Sequence, residues 1–344
     1  MALLLALSTP AFSEEPAPLP PAQRTLGGIT EYRLANGLQV LLMPQAGAPR
    51  ISLTVTYRVG SRHEGPGQAG MAHLLEHVTF RGTASIADLG SEMARLGVNF
   101  NGTTTADRTN YFGSFPANDA TTTLQRMLRL EASRMSEARL AEGDFAKEKP
   151  IVLNEMGLHD GVRRMRQGLL AAAFRQHPYG RPVIGYEADI EQLSLPTLQA
   201  FYRRHYRPDN AVLMLAGGFD AAQALAAVVE SFGPLKNPEP PSAELLPPLP
   251  EQAEPQQKAP RVITMRTSST ALAVGWRVPG MAHEHAAAVA MLGQLLAQVP
   301  ARLTERKPDR PYSLAVLGES ERSRDPAVMG LIVQIPNTPS TASE

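Results

Sequence analysis

The 344-residue chain contains no cysteine. Disulfides, Cys-rich zinc sites and thiol catalysis are therefore excluded, and any transition metal must be held by His and carboxylate side chains. Net charge is absent as well: Lys+Arg and Asp+Glu both number 33. A balanced chain supplies no global field for attracting nucleic acid or an anionic membrane, and no dense Lys/Arg run with interleaved aromatics occurs, so no nucleic-acid partner is expected. No stretch approaches the roughly 20 apolar residues a membrane span needs. With 43% hydrophobic and 19% charged residues, the composition is that of an ordinary globular protein of about two domains.

The N-terminus, Met1–Ser13 (MALLLALSTPAFS), is a short apolar run followed by small residues, with Ala11 and Ser13 at plausible −3 and −1 positions of a secretory cleavage site. No Lys or Arg precedes the run. The pattern favours a periplasmic or secreted protein; an ordinary disordered tail on a cytoplasmic one is the alternative.

Regular structure starts at Gly37–Met43, ended by Pro44, and Ile51–Val59 alternates as a half-buried strand does. A Gly-rich turn over 60–70 leads into an apolar helical pattern, Met71–Phe80. Asn99–Phe115 is rich in Thr, Asn and aromatics and predicts a hairpin. Longer helices are expected around Thr121–Met135 and Asp144–Phe174, and Ala211–Ala216 reads as a buried strand ended by Gly217-Gly218.

Prolines at 234, 238, 240, 241, 247, 248, 250, 255 and 260 forbid a regular helix or central strand, so 234–260 is expected to be a stiff linker. Beyond it the pattern returns. Leu53-Thr-Val-Thr-Tyr-Arg-Val59 matches Leu272-Ala-Val-Gly-Trp-Arg-Val278 at Leu, Val, aromatic, Arg and Val. Each copy is followed by a turn, an apolar helix and alternating strands, the mark of an internal duplication. The expected fold class is α+β, built of duplicated α/β sandwich units, each a mostly antiparallel sheet packed by helices. The first unit reads as complete. The second reads as partial, since only 84 residues follow Pro260. The expected divisions are a signal-like or disordered segment 1–23, a first domain 24–233, the linker 234–260 and a partial second domain 261–344.

The chemistry concentrates in His73-Leu-Leu-Glu-His77. Helix positions i and i+4 share a face, so two imidazoles can address one ion. Glu76 lies on nearly the same face, placed to reach a water rather than the metal. This is the inverted zincin order. The plain alternative is an amphipathic helix whose His and Glu face solvent. Catalytic zinc takes three protein ligands and keeps one position open. Glu155 lies 78 residues after His77, in a second expected helix, and Glu148 stands seven residues before it.

These features resemble the inverzincin peptidases typified by pitrilysin, insulin-degrading enzyme and the mitochondrial processing peptidase. The family carries His-x-x-Glu-His, a third ligand Glu in the upper seventies downstream, and another Glu seven residues before that. Gly70-Met-Ala-His73 and Phe80-Arg-Gly-Thr83 are similar to the family's flanks. Asn101–Phe112 resembles its active-site edge strand, with Gly102 where Ala is common. The stretch His177–Gly180 through Asn210–Gly218 is also similar.

The resemblance implies one Zn²⁺ on His73, His77 and Glu155, Glu76 as general base, and Glu148 supporting the ligands from behind. It implies peptide substrates laid along Asn99, Asn101, Gly102, Thr103 and Thr104. In the family a degenerate second domain supplies an Arg and a Tyr that help bind substrate; Arg306 and Tyr312 are the nearest matches, one residue short of the usual spacing. His283 and His285 stand two apart, so on a helix they diverge and lack ligand spacing; they are expected on the surface at a helix entry. The function so implied is a zinc metalloendopeptidase acting on unfolded peptides. The alternative is a non-catalytic or partner-requiring subunit, working as a homo-oligomer or with a companion homologous chain. Pro150, between Glu148 and Glu155, requires a helix that starts near it or bends.

Overall fold

A computed structural model describes residues 19–117, 120–158, 161–240, 270–298, 313–317 and 323–335. The signal-like Met1–Ser13, positions 241–260 of the Pro-rich segment, Arg306 and Tyr312 lie outside the described residues.

In chain order the first part contains β1 (Arg24–Leu26), β2 (Ile29–Arg33), β3 (Gln39–Pro44), β4 (Arg50–Tyr57), a 3₁₀ turn (Ser61–His63), α1 (Met71–Thr79), α2 (Leu89–Arg95), β5 (Asn99–Thr104) and β6 (Thr109–Pro116). There follow α3 (Ala120–Glu137), α4 (Glu142–Gly157), α5 (Gly161–Ala173), a 3₁₀ turn (Pro178–Gly180), α6 (Glu187–Gln192), α7 (Leu195–His205), β7 (Ala211–Gly217) and α8 (Ala221–Phe232). The second part contains β8 (Thr270–Val278), α9 (Ala286–Ala297), β9 (Ser313–Leu317) and β10 (Ala327–Ile335).

Seven strands form one sheet in the order β1-β2-β3-β7-β4-β6-β5. All neighbours are antiparallel except β3 and β7, which run parallel. The two-residue alternation read in the sequence is realised in β4, where Ile51, Leu53, Val55 and Tyr57 are buried, facing one way as the pleat requires. On that side lie Leu74, Leu75 and Val78 of α1, Leu124 and Leu128 of α3, Leu198 and Phe201 of α7, and Leu225, Val228 and Phe232 of α8, all in one apolar cluster.

The second sheet is β8-β10-β9, antiparallel throughout. Its order repeats β4-β6-β5: strand, helix, edge strand, then a strand inserted between the two. The match between Leu53–Val59 and Leu272–Val278 therefore marks equivalent strands, and the structure is a duplicated α+β unit.

Two expectations need correction. The single helix expected over Asp144–Phe174 is two, α4 and α5. Pro150 neither starts nor ends α4 but sits inside it, because the chain enters that helix eight residues earlier, at Glu142. His283 and His285 are exposed as expected, but they do not diverge: both precede the body of α9, and their ring centroids lie 5.1 Å apart.

Candidate metal centre

α1 enters through Gly70, whose φ of 95° is a left-handed conformation that suits glycine. A Cβ there would lie 2.6 Å from the Ile184 carbonyl oxygen. With no capping side chain at Gly70 itself, the first-turn amides find a remote partner. Buried Glu64 accepts from Gly70 N (3.1 Å) and Ala72 N (2.9 Å), and Asp189 Oδ2 accepts from Ala69 N (3.0 Å). The helix is seated on polar contacts beneath: Thr79 Oγ1 donates to the Glu76 carbonyl and shares a hydrogen bond with Tyr111, which shares another with Tyr206.

The i, i+4 spacing works as the sequence suggests. The His73 and His77 rings lie 4.7 Å apart at 72°. α4 runs past α1 and brings Glu155 to them: Glu155 Oε2 is 3.7 Å from Nε2 of each imidazole. One ligand atom from each of the three residues falls within 4.8 Å of the other two.

Two turns earlier on α4, Glu148 shares the face of Glu155. It accepts from His77 Nδ1 (3.0 Å) and from the Arg81 guanidinium. That bond fixes the His77 tautomer and leaves Nε2 toward Glu155. Burial pushes the Glu148 carboxyl up, but its bonds from His77 and Arg81 outweigh this and hold it below the usual range. Burial works to lower the His77 imidazole; Glu148, Glu155 and Glu76 together outweigh it and raise it.

Glu76 is 7% exposed. Burial pushes its carboxyl up, against a hydrogen bond from Thr104. Thr104 Oγ1 donates to Glu76 Oε2 at 2.5 Å.

β5 is an edge strand, paired among the described residues with β6 alone. The residues expected to line a substrate divide between its faces. Gly102 and Thr104 face α1. Asn99, Asn101 and Thr103 are exposed on the other side, where Asn101 Oδ1 accepts from Gly102 N and Thr103 Oγ1 accepts from Asn110. Gly102 permits a close approach: a Cβ there would lie 2.6 Å from Glu76 Oε1 and 2.9 Å from the Phe80 ring. Glu76, the two imidazoles and the strand edge thus occupy one side of the molecule.

Sequence reasoning missed Glu64, Arg81 and the bond between Thr104 and Glu76. Glu64 stands six residues before the helix cap, outside any local capping pattern. Arg81 lies next to Phe80 in the family-like flank, yet nothing in sequence points it at Glu148.

Two imidazoles and a carboxylate, one imidazole held from behind by a second carboxylate, form a donor set that suits zinc. Among the described residues no helix is long and apolar enough to cross a membrane.

Residues 39–187 match the family described as Insulinase (Peptidase family M16), and residues 192–306 match the Peptidase M16 inactive domain. The zinc protease PqqE of Helicobacter pylori is 30% identical over 286 residues, covering 80% of this chain and 63% of that protein. A zinc protease of Mycobacterium leprae is 32% identical over 210 residues, covering 60% of this chain and 46% of its own length. The chain thus spans about half to two thirds of the length of these relatives. The crystal structure of a Helicobacter pylori protease superposes with a TM-score of 0.71 at 25% identity, covering 93% of this chain and 76% of that one. The Escherichia coli periplasmic protease PqqL shares the fold, with a TM-score of 0.67 at 20% identity, covering 92% of this chain and 36% of that one. The two matched regions run almost end to end across residues 39–306 with the inverted His-Leu-Leu-Glu-His motif inside the first, and the chain belongs to the insulinase (M16) family of peptidases.

Proposed function

We propose that this chain is a zinc metalloendopeptidase that cleaves unfolded peptides. The observation that carries the reading is the convergence of His73, His77 and Glu155 beside Glu76 and the β5 edge, whose outer side is unpaired among the described residues. One zinc ion held by these three side chains would supply Lewis acidity, lowering the pKa of a coordinated water toward about 7 and polarising a carbonyl. Glu76 takes the proton of the attacking water and passes it to the leaving amine as the peptide C–N bond breaks. The Thr104 hydroxyl holds Oε2 of that carboxylate, so Oε1 is the atom left to move the proton. Glu148 orients His77.

A substrate backbone joins the free edge of β5 as an added strand. Gly102, without a side chain, lets the peptide bond come close to Glu76. Recognition through backbone pairing gives loose sequence preference and requires an extended substrate. Arg306 and Tyr312 would touch the substrate from the second unit. The apolar Met1–Ser13 run supports work outside the cytoplasm, which cell fractionation tests.

A partner-requiring form is the second reading. Leu272, Val274 and Trp276 of β8 and Met291, Leu292 and Leu295 of α9 are exposed, apolar area on each element that a companion chain or second copy would cover.

The test is hydrolysis of a mixed unfolded-peptide substrate, followed by mass spectrometry before chelation, after chelation and after return of one equivalent of zinc. Internal cleavage lost and regained in step with zinc supports the reading. A zinc-loaded chain that cleaves nothing, alone or mixed with a companion homologue, contradicts it.

A further inference from the structure

A second polar cluster lies away from the metal ligands, where the second sheet meets the first. Its centre is Arg62, 9% exposed, in the 3₁₀ turn after β4. Arg62 Nη1 pairs with Asp107 Oδ1 at 3.0 Å, and Nη2 pairs with Asp325 Oδ2 at 2.7 Å. Tyr179 OH lies 2.6 and 2.7 Å from the two Asp107 carboxylate oxygens and accepts from Asp325 N at 3.2 Å. Arg324 N donates to Asp107 Oδ2 at 3.0 Å, and His177 Nε2 lies 3.3 Å from Asp325 Oδ2. Four separate stretches of chain meet in this cluster. Beneath it, Phe174, Tyr179 and Val328 are buried together against Ala106 and Leu169.

Asp107 belongs to the turn joining β5 to β6. The 3₁₀ turn that carries Arg62 also holds it through the backbone, since Thr105 and Ala106 carbonyls accept from Ser61 N (3.1 Å) and Arg62 N (3.0 Å). Thr104, whose hydroxyl binds Glu76, is three residues away. A hairpin at a sheet edge, paired on one side only, has few contacts to fix its height over the neighbouring helix. Here the second sheet supplies such contacts through Arg324 and Asp325, ahead of β10. A cluster needed only to glue two sheets has no need to fall on the tip of the hairpin that carries the substrate edge.

We infer that Asp325 is a positioning residue: through Arg62, Tyr179 and Asp107 it anchors the β5–β6 turn and so sets the edge strand against Glu76. The consequence for catalysis rests on the peptidase reading above; the consequence for the hairpin does not. Asp325→Asn keeps the size of the side chain and removes the charge that pairs with Arg62. Tyr179→Phe removes the hydroxyl shared by Asp107 and Asp325.

The experiment is amide hydrogen exchange on zinc-loaded wild type, Asp325→Asn and Tyr179→Phe, with steady-state kinetics on a long unfolded peptide. Both variants are expected to exchange β5 and β6 amides about tenfold faster, the scale of one charge-assisted hydrogen bond. Exchange in α1 and zinc content should stay at the wild-type level, and KM should rise while kcat holds. Unchanged hairpin exchange in both variants overturns the inference, as does a uniform rise across the whole first unit. A wild type that cleaves nothing counts against the peptidase reading alone, since the exchange data still decide the role of Asp325.

Discussion

Glu148 is bound on two sides, by His77 Nδ1 and by Arg81, and is buried. A carboxylate so placed aligns a ligand imidazole and raises its basicity. Glu148→Gln keeps the shape and loses the charge. Zinc affinity should fall by about 10- to 100-fold, measured by competition with a chromophoric chelator. The pairing of His73 with His77, and of Glu148 with Glu155, was legible in the sequence because helical geometry converts a spacing of four, or of seven, into a shared face; that the two helices meet was only what the family resemblance implied. The bond from Thr104 to Glu76 was not legible, since a hydroxyl in a Thr-rich strand gives no sign of which helix will lie over it. Arg81 was hidden for the same reason: its partner is 67 residues away.

At the scale of elements, the entrance to α1 is the point of tension. Glu64 is buried, and burial pushes its carboxyl up to about 8 although two amides and Arg181 favour the charge. Between the ordinary value of 4.5 and about 8, the folded chain holds a proton that the unfolded chain has released. Stability from this group is therefore lost as pH rises through that window. Thermal melting of the metal-free chain against Glu64→Gln should show the wild type losing ground from about pH 4.5 to 8 and no further above it. A difference that does not vary with pH would show that Glu64 titrates normally. Most strands and α1 were readable from alternation and helical spacing. The division into α4 and α5 was not, because an apolar pattern continuing past Gly157 hid the break, and Pro150 drew attention to a place where the helix in fact continues.

For the molecule as a whole, the sequence-level repeat of seven residues anticipated a repeated strand order, β4-β6-β5 and β8-β10-β9. What it could not reveal is where the two units touch, since Arg62, Asp107, Tyr179 and Asp325 are scattered through the chain and follow no period. The same holds for His63 and His205, whose rings come within 5.6 Å in the first unit. Burial pushes their imidazoles down to about 4 and about 3. The unfolded chain binds these protons first, near 6.5, so their stabilising effect is complete above that pH and drains away as pH falls toward 4 and 3. In urea titrations of the metal-free protein, the stability of the wild type relative to His205→Gln should fall as pH drops below 6.5, because the variant lacks the imidazole that the unfolded chain protonates first.

The central claim is that Glu76 moves the proton while His73, His77 and Glu155 hold the metal. Its most direct test is Glu76→Gln, assayed for zinc content and for cleavage of unfolded peptide beside the wild type. The account predicts one zinc per chain in both and a loss of hydrolysis of about 10²- to 10⁴-fold in the variant. A variant that retains zinc and cleaves at the wild-type rate would contradict it.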